Sequence, residues 1–179
     1  MTTMKRPRIL VEARPGAGKT TAFRRLAELL RDADVPVAGF TTAELRERGR
    51  RLGFEVESLN GARATFAHVS LSGPPRVGRY GVDLEAFERV ALPTLSADRG
   101  GVMLIDELGK MELFSDRFRE ALLTLFDSDA ALAATVHTAR HPFTDALKSR
   151  PDIEIVRLTK ASRDALPTRL AERLRAAIA

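Results

Sequence analysis

The stretch "EARPGAGKTT", residues 12–21, decides how the rest of the chain is read. A phosphate-binding loop has glycine, four residues, then Gly-Lys-Ser/Thr. Here the last three positions are Gly18, Lys19 and Thr20, while the first is Ala13 rather than glycine. At ordinary residue usage the relaxed pattern, with Ala or Gly first, arises about once per 10⁴ start positions, so on the order of 1% of chains this long carry it by accident. The flanks therefore matter. "RILVEA" at 8–13 is a short apolar run that reads as a buried strand. From Lys19 onward Phe23, Leu26, Ala27 and Leu30 recur at i, i+3, i+4, i+7, one face of a helix. A glycine loop between strand and helix is the setting that such a motif requires.

Each position has a physical role. Gly16 and Gly18 let backbone N–H groups turn inward with no Cβ in the way. With the helix N-terminus they form an anion cradle. Lys19 extends to the β- and γ-phosphates, and Thr20 offers a hydroxyl to Mg²⁺. Ala13 adds one methyl where the chain leaves the strand, tolerable at negative φ. Pro15 fixes its own φ and biases Arg14 away from the helical region, which stiffens the turn. The plainer reading is an ordinary glycine-rich strand-to-helix turn.

A second motif, "VMLIDELG" at 102–109, is an apolar run ending in an acid. It suits a central parallel strand, and it is the Walker B partner of a Walker A loop. Asp106 is then the Mg²⁺ acid, directly or through water. Glu107, beside it, can polarise an attacking water, which argues for hydrolysis. Alone, the pair also reads as two surface capping acids.

Further along, "ADVPVAGF" (33–40) reads as a second strand. Leu52, Phe54 and Val56 alternate with Gly53, Glu55 and Glu57, the period of a half-buried strand. Asn60-Gly61 then predicts a type I′ hairpin turn before "ARATFAH". The expectation is an antiparallel hairpin inserted at about residues 44–70. "LSGPPRVGRYG" (71–81) reads as a loop. Asp83 caps a helix reaching about Ser96, kinked at Pro93, and Ser115 caps another. "ALAATV", "PFTDALK" and "IEIVRL" predict strand, short helix and strand, and Leu166, Leu170, Leu174 and Ile178 mark a last helix. Strand and helix alternate, so a mostly parallel α/β sheet covered on both faces is expected, as one domain over 1–179.

Composition bounds the function. The 179 residues include no cysteine, which removes disulfides and thiolate metal sites. No apolar run approaches the ~20 residues of a membrane span. The basic lead before "ILVEA" is followed by too short an apolar run for a signal peptide, so a cytoplasmic protein is expected. The net charge of +5 is spread along the chain with acids interleaved, which favours a solvated surface over a nucleic-acid stripe.

At "IDELGKMELFS" (105–115) the chain resembles the THEP-type nucleoside-triphosphatases. The likeness extends to "GFTTAELRERGRRLGFEVESL" (39–59), "VGRYGVDLEAFERVALPTL" (77–95) and "LTKASRDALP" (158–167). It implies a P-loop NTPase with a RecA-like core, hydrolysing ATP, GTP, CTP and UTP with Mg²⁺, slowly and with little base preference. By resemblance, Ala13, Arg14, Pro15, Gly16, Ala17, Gly18, Lys19, Thr20 and Thr21 bind nucleotide. So do Val102, Met103, Leu104, Ile105, Asp106, Glu107, Leu108 and Gly109, with Arg163 as a weaker member. Family members commonly carry Gly in place of Ala13 and Asn in place of Ser162.

Three readings stand on the sequence. The first is a Mg²⁺-dependent hydrolase with Lys19 and Glu107 catalytic and Thr20 and Asp106 on the metal. The second is a phosphotransferase to a nucleotide or nucleic-acid end, with 71–81 as a lid. The third is a nucleotide-gated nucleic-acid module. Lys110 and Glu112 could orient the catalytic acid, and His137, near a strand end, is the one histidine placed for a sensor. Arg46, Arg48, Arg50 and Arg51 could grip a polyphosphate or a partner; the plainer reading is a solvated charged loop. No arginine finger is assignable.

Overall fold

The computed structural model describes residues 6–96 and 100–178. The basic lead at 1–5, where no leader is expected, lies outside them. The described strands form one nine-stranded sheet in the order β5-β6-β4-β3-β2-β7-β8-β1-β9. Its parallel part is β2 (Val37–Glu47), β7 (Val102–Leu108), β8 (Ala131–His137), β1 (Arg8–Ala13) and β9 (Glu154–Arg157). Numbered among themselves in chain order, these run 5-1-4-3-2 across the sheet, so β8 lies between the loop strand β1 and the acid strand β7.

The central strands β7, β8 and β1 carry nearly continuous apolar runs because both faces are covered. Ile9, Val11, Leu104 and Ala133 face α1 (Lys19–Asp32) and α5 (Leu166–Ala176), which bring Phe23, Leu26, Leu30, Leu170 and Leu174. Leu10, Ile105 and Leu132 face α2 (Leu84–Ala91), α3 (Asp116–Asp127) and α4 (Pro142–Lys148). Phe87 of α2 is the hub on that side, edge-on to Phe40 at 5.6 Å and to Phe118 at 5.0 Å between centroids. The caps are as expected: Asp83 accepts from the N–H of Ala86 at 3.0 Å, and Ser115 from that of Phe118 at 3.0 Å. At Pro93 the helix tightens into a 3-10 turn over Leu92–Thr94.

The antiparallel part is longer than the sequence predicts. β2 begins at Val37 and continues to Glu47, then returns as β3 (Arg50–Ser58), β4 (Arg63–His68) and a small hairpin of β5 (Arg76–Val77) and β6 (Tyr80–Val82). Residues 33–36 are not strand, and 71–81 is only partly loop. The two-residue turn also sits elsewhere. Arg48 and Gly49, at φ 48° and 77°, join β2 to β3, and positive φ at both central residues is the type I′ signature. At Asn60-Gly61 only Gly61 has positive φ, and four residues separate Ser58 from Arg63. There the Ser58 hydroxyl accepts from the N–H of Ala62 at 3.0 Å and organises a wider loop.

Candidate active site

The loop residues after β1 turn as their composition requires. Gly16 and Gly18 have φ of 78° and 98°, the left-handed region that costs other residues strain. Gly18 directly precedes α1, so the helix N-terminus opens on the loop. Ala13 is 2% exposed and packs its methyl with the α1 side of the core. It carries no positive φ, so alanine is accommodated. Pro15, Gly16, Gly18, Lys19, Thr20 and Thr21 line a cleft of about 680 Å³. Arg14 is exposed at its edge, and Ala17 is buried.

Asp106 lies in β7 and is 1% exposed. Its Oδ2 accepts from the Thr20 hydroxyl at 2.6 Å and its Oδ1 from the Thr135 hydroxyl at 2.7 Å. Burial raises its pKa, opposed by those two hydrogen bonds. Nothing in the sequence alone singles out Thr135. It is the hydroxyl residue of the apolar run "ALAATV", and register puts it beside Asp106, one step past the Ile105–Ala134 pair.

Glu107 turns into the cleft and completes a cluster of three. Its Oε2 lies 2.8 Å from Lys19 Nζ and its Oε1 2.8 Å from His137 Nε2. Lys19 Nζ is also 3.4 Å from His137 Nδ1. An ammonium can only donate, so these partners set the neutral tautomer with hydrogen on Nε2, which donates to Glu107. Burial alone would raise the Glu107 pKa. The His137 hydrogen bond and the charge of Lys19 outweigh it and hold the carboxyl below the usual glutamate range. His137 reaches this position because β8 pairs with β1 to its last residue, His137 opposite Ala13.

Glu112 is 4% exposed, and burial, then the neighbouring Glu107 charge, push its pKa well above the usual range. Gly109 is where the two acids converge: a methyl there would meet Glu112 Oε2 at 2.5 Å and Glu107 Oε1 at 3.0 Å.

Val102, Met103, Leu104 and Ile105 are each under 5% exposed and absent from the cleft wall. They form the buried strand that carries Asp106, and Val102 and Met103 also line a separate hollow of about 380 Å³. Leu108, 1% exposed, is likewise core. Arg163 flanks the loop from the other side, its Cδ 3.6 Å from where a Cβ on Gly18 would be. With Thr21, Arg25 and Pro167 it lines a separate hollow of about 340 Å³.

The donor set fits Mg²⁺. That ion prefers hard oxygens, takes one or two carboxylates with substrate phosphates, and seldom uses an all-protein cage. Here a threonine hydroxyl and a carboxylate already touch at the loop. Among the described residues there is no group of three or more His, Cys, Asp or Glu suited to a metal.

Comparisons with known proteins agree with this geometry. A family model described as NTPase matches residues 8–171. The nucleoside-triphosphatase THEP1 of Thermotoga sp. (strain RQ2) is 38% identical over 161 residues, 89% of this chain and 90% of that one. The human cancer-related nucleoside-triphosphatase is 40% identical over 167 residues, 85% of this chain and 88% of that one. The crystal structure of THEP1 from Aquifex aeolicus superposes with a TM-score of 0.82 at 31% identity, covering 93% of this chain and 98% of that one. With the loop, the acid strand and the 5-1-4-3-2 sheet, these matches establish that the chain belongs to the THEP1 family of P-loop nucleoside-triphosphatases.

Proposed function

We propose that the chain hydrolyses nucleoside 5′-triphosphates to the diphosphate and phosphate, using ATP, GTP, CTP and UTP with little base preference. The observation that carries this is the Glu107 carboxylate, one residue past Asp106 and 2.8 Å from the loop lysine. The loop amides and Lys19 hold the β- and γ-phosphates and fix the γ-phosphorus in front of Glu107. Thr20 and Asp106 would hold Mg²⁺, which when bound neutralises charge on the phosphate oxygens. Glu107 accepts a hydrogen bond from water and orients it for in-line attack, taking its proton as the new bond forms. His137 keeps the carboxylate aimed while Lys19 turns to phosphate.

Arg163 beside Gly18 supports a nucleoside seated against the hollow on that side, which Thr21, Arg25, Asp164 and Pro167 also line. Among the described residues lining the cleft, Arg51 is the one arginine, and it lies at the far end. An arginine at the transferring phosphate is worth about 10³–10⁵ in rate, so slow turnover follows. The reading requires no nucleic acid. No described helix is long and apolar enough to cross a membrane, and the cysteine-free composition suits the cytoplasm. The test is phosphate release from the four triphosphates with and without Mg²⁺. Release from all four within about tenfold, lost on chelation, is expected, since only a dedicated hydrogen-bonding pocket discriminates more strongly. Release from one alone would overturn the broad preference.

A further inference from the structure

The cleft, about 680 Å³, extends well past the loop residues that hold the phosphates, out to Arg51, Val77 and Tyr80. The outer half is formed by the antiparallel addition, and its wall is specific. Phe54, Val77, Tyr80 and Met111 give it an apolar and aromatic surface, and Arg51 a cation. Arg51 is held in place. Its Nε donates to the Tyr80 hydroxyl at 2.9 Å and its Nη1 to Glu44 at 3.0 Å. Its guanidinium carbon lies 5.3 Å from the Phe54 ring centre and 5.7 Å from that of Tyr80. Glu44 is shared with Arg46 at 2.7 Å, and Arg79 lies over Tyr80 at 5.2 Å. Three arginines against one carboxylate leave this rim positive.

Arg51 does not act on the γ-phosphate itself. Phe40 pairs with Ile105, so Thr42 stands level with Glu107. Arg51 pairs with Arg46, four residues beyond Thr42, a distance on the order of 13 Å at ~3.3 Å per residue. The chemistry differs between the two ends. At the inner end the Glu107 carboxylate, paired with Lys19, can accept a proton from a hydroxyl. At the outer end stand the arginines, with rings between. A molecule that matches has a hydroxyl at one end, a ring in the middle and an anionic group at the other.

We propose that the outer half of the cleft seats a phosphoryl acceptor, a nucleoside with a free 5′-hydroxyl and a 3′-phosphate, its base on Phe54 and Tyr80 and its phosphate at Arg51. This inference rests on the proposed γ-phosphate position at Lys19 and Glu107. The 5′-oxygen bonds to the γ-phosphorus as the bond from that phosphorus to the β–γ bridging oxygen breaks. The electron pair of that bond leaves with the nucleoside diphosphate, and the hydroxyl proton goes to Glu107. Water makes the same attack when the seat is empty. The same chemical group occurs in a free nucleoside 3′-monophosphate and at the 5′ end of an oligonucleotide.

The test incubates the full chain with Mg²⁺ and γ-labelled ATP, separately with adenosine 3′-monophosphate, with a 5′-hydroxyl oligonucleotide, and with adenosine 5′-monophosphate as a control blocked at the reacting position. Label should enter the 3′-monophosphate, the oligonucleotide or both faster than it enters inorganic phosphate, and which of them is preferred identifies the source. The ratio of labelled acceptor to inorganic phosphate should fall at least tenfold in Arg51→Ala and partly recover in Arg51→Lys. Label in inorganic phosphate alone with every acceptor at millimolar concentration overturns the acceptor seat and leaves hydrolysis standing. Equal labelling of the blocked control overturns the assigned orientation. No release of label to any product overturns the proposed hydrolysis as well.

Discussion

His137 holds Glu107, with Nε2 of the imidazole 2.8 Å from Oε1 of the carboxylate whose other oxygen meets Lys19. Removing the imidazole in His137→Ala frees Glu107 to swing and removes a cause of its low pKa. Turnover should fall about tenfold, ~1.4 kcal/mol of barrier, with His137→Gln recovering part through its amide donor. Because Glu107 titrates below 4.5 in the intact site, its loss of activity in acid should begin below that pH. In His137→Ala this acid limb should move upward. An unmoved pH–rate profile would show that His137 does not act through Glu107.

Gly109 makes room for two acids. In Gly109→Ala the new methyl must displace the Glu112 and Glu107 carboxyls it would meet at 2.5 and 3.0 Å. A displacement near 1 Å at a reacting group costs up to about 10²-fold. Steady-state kinetics should show kcat lower by about 10–100-fold, with nucleotide affinity within about threefold because the loop is untouched.

Glu112 sets a pH dependence of stability. Its folded pKa is raised above the ordinary 4.5. The protonated form is therefore favoured by folding, and the stability this gives is complete below 4.5. That stability is lost as pH rises from there through the folded value. Glu112→Gln keeps a neutral side chain at every pH. Melting temperatures from pH 5 to 8 should improve for the variant relative to the parent as pH rises. A constant gap would contradict a buried neutral Glu112.

The methyl of Ala13 is packed, not strained. Ala13→Gly should leave nucleotide affinity within about twofold and lower stability by up to ~1 kcal/mol, measured by titration and denaturant unfolding. A large gain in affinity would show the methyl crowding the cradle.

What the sequence made legible follows from locality. The glycine loop, the acid strand, both side-chain caps and the short helix from Pro142 all depend on residues a few positions apart, and their patterns carried through. The turn chemistry misled because Asn60-Gly61 matches a two-residue signature while Ser58 organises a wider loop, and Arg48-Gly49 adopts it with a bulky first residue. At 102–105 the side chains are buried and lie off the cleft wall, which depends on helices distant in sequence covering both faces of the strand. Thr135 and the Arg51–Tyr80 wall were not legible because register across strands distant in sequence creates them. The sequence marks Glu112 only as a neighbour of the acid motif, since its burial depends on how the chain folds back after β7.

The central claim is that Glu107 is the group that acts on water. Single-turnover phosphate release from ATP by Glu107→Gln, beside its ATP dissociation constant, tests it most directly. A positioned base is worth about 10²–10⁴-fold, so release at least ~100-fold slower is expected, with ATP bound no more weakly than by the parent. Release at the parental rate, or a loss traced to failed ATP binding, would contradict the account.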